Sequence, residues 1–354
     1  MSATIKDIAK KLNVSRVTIS NVLHNKPGVG EKLRQKVMNL VKELGYVPNE
    51  AALNLRESKN ESSVTRLTKN IGCITYRGYD KFNSPLYAGI MENIDEEIRK
   101  NGYHLSFYYK SDELSENPLL FNKIVNPESI DGLITFSTQL EGIYEQVRGR
   151  IKNIISISEP LGNKNDVDCI LFDKYQAGHD ATDYLLRLNH KKIAFVGMSK
   201  GYNEQSKVKG YKDALISAGI EYDEGLVFSS IGVDSGKQQI IQDAYDAASR
   251  MMDLNSLPTA IVAGSHLICI GIIEVLKEKG LKVSDDISLI SCSYEPEVET
   301  YLRLGITSFK LNIKEVGHLA VERLIKRIHN PELSPVKTLI SYQFEKGGTC
   351  NEIK

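Results

Sequence analysis

The chain has 354 residues, of which 41% are hydrophobic and 25% are charged, the composition of an ordinary globular protein with two or three cores. No apolar run is long enough to cross a membrane, the first 25 residues lack the apolar core of a signal peptide, and the five scattered cysteines include no Cys-x-x-Cys pair. These features argue against a membrane partner, a disulfide framework and a zinc site, and they predict a cytoplasmic location.

Charge is distributed unevenly along the chain, although the formal net charge is zero. Residues 1–60 contain eleven Lys and Arg against five Asp and Glu, a net charge of +6, so the remainder carries −6. A basic segment attached to an acidic body suggests that only the segment meets a polyanion. Such a bias more often marks a solvated surface, so charge alone does not identify a nucleic-acid-binding protein.

The first predicted elements are three short helices. Apolar residues recur at helical spacing over 5–12, where Thr4 can cap the helix and Asn13 tolerates the left-handed conformation that ends one. Ser15 is a good N-cap for a second helix, and a third helix is expected over 31–44. The outward side of the second helix carries Arg16, Val17, Ser20, Asn21 and His24.

The first two helices are joined by a turn of three to four residues, and the small Ala9 lies where they approach. This spacing predicts a helix-turn-helix, in which the second helix presents its N-terminal end to a DNA groove. The alternative is a small three-helix bundle with an exposed polar face, which has the same helical periodicity.

Four motifs between residues 3 and 56 follow one another in order: Thr-Ile-Lys-Asp-Ile-Ala, Val-Ser-x-x-Thr-Ile-Ser-x-Val-Leu, Gly-Tyr-x-Pro-Asn and Ala-x-x-Leu-Arg. Together they closely resemble the DNA-binding head of the lactose repressor (LacI/GalR) family. The resemblance implies a helix-turn-helix head at 1–48, a hinge helix and linker at 49–70, and a ligand-controlled transcriptional regulator. Such a protein binds a palindromic double-stranded DNA operator as a homodimer.

The same resemblance implies roles for individual residues of the head. Arg16, Val17 and Asn21 occupy positions that read bases in the major groove, where Arg suits guanine, Asn suits adenine and Val suits a thymine methyl group. The family most often has Arg at the position of Asn21, so an altered preference at one base pair is expected. The residues at phosphate-contacting or helix-capping positions are Thr4, Ser15, Thr18, Ser20 and Asn25.

The predicted hinge helix, 49–56, carries Ala52 and Leu55 on one face. The resemblance implies that paired hinge helices enter the minor groove with Leu55 between base steps, whereas the alternative is an amphipathic linker packed on the body. An eight-residue helix is marginal alone, so order is expected only with dimer and DNA present. The linker that follows is several residues longer than is usual for the family, and it either loosens coupling to the body or packs locally.

From residue 71 onward, short apolar runs alternate with helical stretches, first over 71–158 and again over 176–292. This alternation predicts an α/β body of two parallel sheets, with loops at the strand carboxyl ends facing a cleft. The predicted subdomains are 71–172 plus 296–309 and 173–295 plus 310–354. No nucleophile–His pair or phosphate-loop spacing is recognisable, so no enzyme activity, cofactor or metal site is predicted.

The body resembles the same family more loosely along its whole length, which implies a periplasmic-binding-protein-like fold that closes on a sugar or purine. Its pocket positions are unusual, because Lys207 and Ile231 replace the family's Arg and aromatic residue and Ser265-His266 replaces Asn-Asp. Lys207, Arg77 and His266 favour an anionic ligand, whereas the alternative makes Lys207 a surface residue and His266 a helix cap. The predicted effector-binding residues are Tyr76, Arg77, Tyr79, Phe82, Ser158, Glu159, Asn203, Lys207, Ile231, His266 and Tyr294.

The leading hypothesis is a dimeric repressor of carbohydrate-utilisation genes whose DNA affinity is changed by a sugar or sugar phosphate. The alternative is a cytoplasmic sugar-binding module or carbohydrate-metabolism enzyme whose head does not bind DNA. The two hypotheses differ in whether the protein binds a specific DNA sequence and in whether its function requires residues 1–60.

Overall fold

The computed structural model describes residues 5–23, 28–44, 67–75, 85–136, 140, 142–161, 167–198, 202–231 and 236–353. The chain divides into two compact units, residues 1–66 and 67–354, called the head and the body below. The predicted hinge helix at 49–56 lies outside the described residues.

The described part of the head consists of α1 (Ile5–Leu12), α2 (Arg16–Leu23) and α3 (Glu31–Glu43). At the turn between α1 and α2, Asn13 has a φ of 50°, and the N–H of Val14 donates to the carbonyl of Ala9 at 3.0 Å. This left-handed residue and its hydrogen bond end α1 and redirect the chain, as the sequence predicts. The buried side chains that hold the three helices together are Ile8, Ala9, Ile19, Val22, Val37 and Leu40. The predicted helix-turn-helix is confirmed.

The body alternates strands with helices along the chain. Its strands are β1 (Asn70–Thr75), β2 (His104–Lys110), β3 (Gly132–Thr135), β4 (Ile154–Ser158), β5 (Asp168–Phe172), β6 (Ile193–Met198), β7 (Val227–Ile231), β8 (Ala260–Ala263), β9 (Ser288–Ser291), β10 (Thr307–Leu311), β11 (Lys337–Ile340) and β12 (Tyr342–Glu345). Its helices are α4 (Pro85–Lys100), α5 (Ser111–Glu116), α6 (Pro118–Ile124), α7 (Tyr144–Arg150), α8 (Lys174–Arg187), α9 (Tyr202–Ser217), α10 (Lys237–Met252), α11 (His266–Glu278), α12 (Pro296–Leu302) and α13 (Ile313–His329). Within the described ranges, no helix combines the length and the apolar character needed to cross a membrane.

The strands form two six-stranded sheets, ordered β11-β5-β4-β3-β1-β2 and β12-β10-β9-β8-β6-β7. The first sheet is parallel throughout, and in the second only β12 runs antiparallel to its neighbour. Every residue of β3, β4, β5, β8 and β9 is buried, which explains why these strands read as short, largely apolar runs without polar alternation. The predicted α/β architecture with two parallel sheets is confirmed.

The chain crosses between the two sheets after β5, after β10 and after β11, all within described segments. The prediction that 296–309 belongs to the first subdomain and 310–354 to the second is therefore wrong in part. β10 pairs with β9 in the second sheet, whereas α13 packs against α4 and β11 pairs with β5 in the first. Local periodicity identifies a strand but not the sheet it joins, because that choice depends on partners outside the local segment, such as β5 for β11, more than a hundred residues earlier.

Helices α8 and α9 approach each other closely because each has a glycine at the contact. A Cβ at Gly178 would lie 2.2 Å from the carbonyl oxygen of Lys207, and one at Gly210 would lie 2.1 Å from that of Tyr175. No side chain fits at either position without backbone movement. The two glycines thus bring the backbone of Lys207 against α8.

Candidate functional site

The first candidate site is the N-terminal end of α2, on the side that faces away from the core of the head. The Oγ of Ser15 accepts a hydrogen bond from the N–H of Thr18 at 3.0 Å and lies 2.9 Å from the Thr18 hydroxyl, so Ser15 caps the helix. Arg16 is exposed and Val17 is 68% exposed, although valine is normally buried. An exposed valine beside an exposed arginine at a helix N-terminus suits contact with base edges and a thymine methyl group.

The other described residues of this face are less exposed. Ser20 and Asn21 are half-buried, while Ile19 and Val22 face the core. At the far end of α2, the guanidinium of Arg34 donates to the carbonyl of Val22 at 3.4 Å and thereby attaches α3 to the end of α2. This contact is not predictable from the sequence, because the spacing of Arg34 on α3 does not indicate which helix it meets. Thr4, Asn25, Ala52 and Leu55 lie outside the described residues.

The second candidate site lies at the carboxyl ends of the body strands. Ser158, the last residue of β4, has a φ of 76°, and its buried hydroxyl forms a hydrogen bond with the Tyr87 phenol. A left-handed serine is costly, and such strain concentrates at functional sites. The following residue, Glu159, is half-buried.

Lys207 and His266 are buried on the second-sheet side of this region, where the sequence predicts ligand contacts. The ammonium of Lys207 donates to the carbonyl of Gly264, just after β8, at 2.7 Å. The Nδ1 of His266 accepts the N–H of Glu295 at 2.7 Å, so its Nε2 carries the proton and has no partner in the described part of the chain. Both side chains thus hold strand-end loops in place, and whether either also touches a ligand stays a prediction.

Burial lowers the pKa of His266, which keeps the imidazole neutral. Its ring lies 5.3 Å, centroid to centroid, from the half-buried ring of Tyr294. Tyr294 in turn has the ammonium of Lys310 5.1 Å above its ring. Tyr294 is therefore an aromatic surface supported by a histidine and a lysine.

Two residues that the sequence analysis missed connect the strand ends of the two sheets. Burial raises the pKa of the Tyr87 phenol far above its usual value, and the carboxylates of Glu159 and Glu295 act in the same direction. Tyr87 belongs to α4 and Glu295 follows β9, so groups from both subdomains act on one phenol. Glu295 could have been found from its position, since it follows β9 closely, whereas Tyr87 lies on α4 and its position in the sequence gave no such signal.

The carboxyl group of Glu295 has a raised pKa. Burial raises the pKa of its carboxyl from 4.5 to about 7, Glu297 adds to the rise, and Lys207 opposes it. The charged groups that act on the Glu295 carboxyl are thus Glu297, Lys207 and Lys237. Tyr76, Arg77, Tyr79 and Phe82 lie outside the described residues, as do the side chains of Asn203 in α9 and Ile231 in β7.

Replacing Glu295 with glutamine should stabilise the body at alkaline pH. A carboxyl whose folded-state pKa is raised takes up protons on folding, so the wild-type protein loses stability as pH rises from about 4.5 to about 7. Glu295→Gln removes this loss, and we expect a gain of about 2 kcal/mol in the free energy of unfolding at pH 8. Urea denaturation at pH 8 and pH 5 measures the free energy of unfolding, with a much smaller gain expected at pH 5.

The control is Glu224→Gln, which replaces an exposed carboxylate. An equal gain for Glu295→Gln at both pH values would contradict the raised pKa of Glu295.

Two family models match the chain. The model "Bacterial regulatory proteins, lacI family" covers residues 4–49, and "Periplasmic binding protein-like domain" covers residues 182–350. The first coincides with the helix-turn-helix and the second with most of the second sheet and its helices. The predicted helix-turn-helix head and periplasmic-binding-protein-like body are thus each matched by a family model over part of the chain.

Curated relatives and solved structures match nearly the full length. Catabolite control protein A of Priestia megaterium is 28% identical over 94% of each chain, and the ribose operon repressor of Haemophilus influenzae is 27% identical over 93% of each. The lac repressor dimer bound to operator superposes with a TM-score of 0.74 at 18% identity, covering 99% of this chain and 100% of the other. The transcriptional regulator CelR in complex with cellobiose gives 0.68 at 22% identity, covering 98% and 99%. The head of this chain thus matches the lacI family of bacterial regulatory proteins, and the chain is similar to regulators of that family over nearly its full length.

Proposed function

We propose that the protein is a ligand-responsive repressor that binds a palindromic DNA operator as a homodimer in the cytoplasm and controls carbohydrate-utilisation genes. The observation that carries the proposal is the outer face of α2, where Arg16 and Val17 are exposed beside the Ser15 cap. A helix that is capped and packed from behind, with an arginine and an exposed valine at its start, is built to enter a major groove. The relatives are named as regulators and repressors, which supports the same reading.

The enzyme alternative gains no support from these relatives, which are transcriptional regulators. A protein without catalysis needs its body only to bind a ligand and change shape. The effector-binding residues named from the sequence remain our proposal for that ligand site. Among them, Ser158, Glu159, Lys207, His266 and Tyr294 lie at strand carboxyl ends or beside them, where open α/β sheets bind ligands.

For the effector, we favour a neutral sugar over a sugar phosphate. Lys207 is already bonded to a backbone carbonyl, and His266 is neutral and holds the N–H of Glu295. The carboxyl groups of Glu159 and Glu295 would repel a phosphate and can accept hydrogen bonds from sugar hydroxyls. The solved relative with cellobiose and the relative named for ribose point to the same ligand class.

Selection of bound sequences from a random DNA library tests the DNA-binding proposal directly. The full chain should enrich a near-palindromic site, and removal of residues 1–60 should abolish the enrichment. Enrichment of no sequence by the full chain would contradict the proposal, and would favour a sugar-binding protein whose head does not bind DNA.

A panel of neutral sugars and their phosphates tests the effector proposal. Because Glu159 and Glu295 would repel a phosphate, we expect a neutral mono- or disaccharide to raise the thermal midpoint and to change operator affinity. At a ligand concentration of about 100 Kd the stabilisation is about 2.7 kcal/mol. Calorimetric titration with each sugar and its phosphate gives the comparison, and tighter binding of a phosphate than of its parent sugar would overturn the assignment.

A further inference from the structure

The start of the body is held by one carboxylate. Residues 67–69 precede β1, and Asp131 immediately precedes β3, the neighbour of β1 in the sheet. The Oδ1 of Asp131 accepts the N–H of Thr68 at 2.7 Å and the Thr68 hydroxyl at 3.0 Å, while its Oδ2 accepts the N–H of Lys69 at 2.7 Å. Both carboxylate oxygens thus accept hydrogen bonds from Thr68 and Lys69, the two residues that directly precede β1. We call Asp131, Thr68 and Lys69 the exit clamp.

Further contacts make the exit clamp rigid. The carbonyl of Lys69 accepts the N–H of His104 at 2.8 Å, and the amide of Asn153 donates to the carbonyl of Asp131 at 2.9 Å. Lys69 has a φ of 61°, a left-handed conformation that a non-glycine residue adopts at a cost and keeps only when its surroundings enforce it. The direction in which the chain leaves the body is therefore fixed at Lys69.

The exit clamp also lies at one end of a helix that begins at a crossover between the sheets. The ammonium of Lys69 lies 4.2 Å from the centroid of the buried Tyr103 ring, and the Tyr103 hydroxyl lies 3.5 Å from the Nε2 of His329. His329 is the last residue of α13, which starts directly after β10 of the second sheet. At 1.5 Å per residue, its 17 residues span about 25 Å.

These contacts form a continuous packed connection from the crossover after β10, along α13, through Tyr103 to Lys69. A rotation of one sheet relative to the other must bend the chain at the crossovers, because they are the covalent links between the sheets. Helix α13 is held to the first sheet by its packing on α4 and by the ion pairs of Arg323 and Arg327 with Asp168. Its start is therefore a point at which the second sheet is covalently attached to the subdomain that carries the exit clamp.

On the basis of the proposed function, we infer that Asp131 is a positioning residue for operator binding: the exit clamp fixes the direction of the chain at Thr68 and Lys69, and α13 with Tyr103 links that direction to the arrangement of the two sheets. Asp131 touches neither DNA nor effector in this assignment. It acts by restricting where two heads of a dimer can be presented, which raises their effective concentration at paired half-sites.

The test compares Asp131→Asn with Glu128→Gln, an exposed carboxylate three residues earlier, in the full chain. Asparagine keeps one acceptor oxygen and removes the charge, so a clamp that depends on charge-assisted hydrogen bonds weakens. Fluorescence anisotropy with the selected operator should show about five- to tenfold weaker binding for Asp131→Asn, on the scale of one lost ordinary hydrogen bond. Binding to non-operator DNA should be unchanged, and Glu128→Gln should match the wild-type protein.

Hydrogen exchange at the Thr68 and Lys69 amides supplies a second readout on the same samples. These amides should exchange faster in Asp131→Asn, while those of β3 and β4 keep their protection. Wild-type operator affinity despite faster exchange would overturn the inference, and so would unchanged exchange. A lower thermal midpoint with unchanged affinity per folded molecule would show a merely structural role.

Tyr103→Phe removes the hydroxyl that meets His329 and keeps the ring under Lys69. It should leave operator affinity without sugar near the wild-type value, and it should reduce the change in affinity that an active sugar of the panel produces. A full sugar response in this variant would overturn the connection through α13. Wild-type protein measured in parallel separates the two proposals, because failure of the wild-type protein to bind any operator contradicts the DNA-binding function itself.

Discussion

Arg16→Ala should weaken operator binding by about 1–3 kcal/mol, roughly 5- to 150-fold, and should relax base preference at one position of each half-site. Arg16 is the first residue of α2 and is exposed beside Val17. An arginine that pairs with a guanine edge contributes to one base pair, whereas one that meets phosphate contributes equally to every sequence. The measurement is operator affinity across single-base variants of the selected site, at one fixed salt concentration.

Lys36→Ala is the matched control for Arg16→Ala. Lys36 is an exposed cation of the same head on α3, so its loss removes the same charge. The control should change affinity for all sequences alike and leave the base preference intact. If Arg16→Ala also lowers affinity uniformly, Arg16 contacts the DNA backbone and the base-reading role is wrong.

Asp168→Asn should lower the free energy of unfolding of the body by about 3–5 kcal/mol. Asp168 is 1% exposed and accepts hydrogen bonds from the guanidinium groups of Arg323, at 2.8 Å, and Arg327, and from the N–H of Val336 at 2.8 Å. Arg327 is itself buried, and one of its terminal nitrogens has no partner in the described part of the chain. Without the carboxylate, two cations that belong to one helix would remain in or near the core without compensation.

Asp183→Asn serves as the control for Asp168→Asn. Asp183 makes an ion pair with Arg187 one helical turn away at 2.6 Å, but the arginine side chain is 77% exposed. An exposed pair of this kind contributes about 0.3–0.5 kcal/mol, so the control should be nearly neutral. Urea denaturation of both variants at pH 7 measures the difference. A loss below 1 kcal/mol for Asp168→Asn would show that the buried network does not hold α13 and β11 to the first sheet.

Local chemistry made the head predictable from the sequence. Asn13 and Ser15 end one helix and begin the next through contacts with residues at most five positions away, and the structure contains those contacts. The apolar spacing over 5–23 likewise depends on one helical period. The family motifs lie in this same segment, so pattern and resemblance point to the same face of α2.

The body was predictable as a class but not in its connections. Alternating apolar runs and helical stretches indicate two parallel sheets, because each strand buried on both faces needs only a short apolar run. The same runs carry no information on which strands pair. β10 and β11 are separated by one helix, yet β10 pairs with β9 and β11 with β5.

In the candidate ligand site, too, the sequence predicted residue positions but not their contacts. Residues after strand ends were identified from their positions, but Tyr87 and Glu295 were missed because their importance comes from each other and from Glu159. Lys207 and His266 were identified as polar residues in a pocket, whereas the structure shows each bonded to backbone groups of the second sheet. Burial and hydrogen-bond partners are properties of the assembled fold, and one-dimensional spacing does not contain them.

The sequence by itself determined the helix-turn-helix, its reading face and the two-sheet class of the body. Each of these follows from residues within one or two turns of helix or within one strand. The tertiary structure decided the three crossovers of the described body, the neutral state of His266 and the exit clamp at Asp131. These depend on residues tens to hundreds of positions apart, which meet only after the chain has paid the entropy of closing long loops.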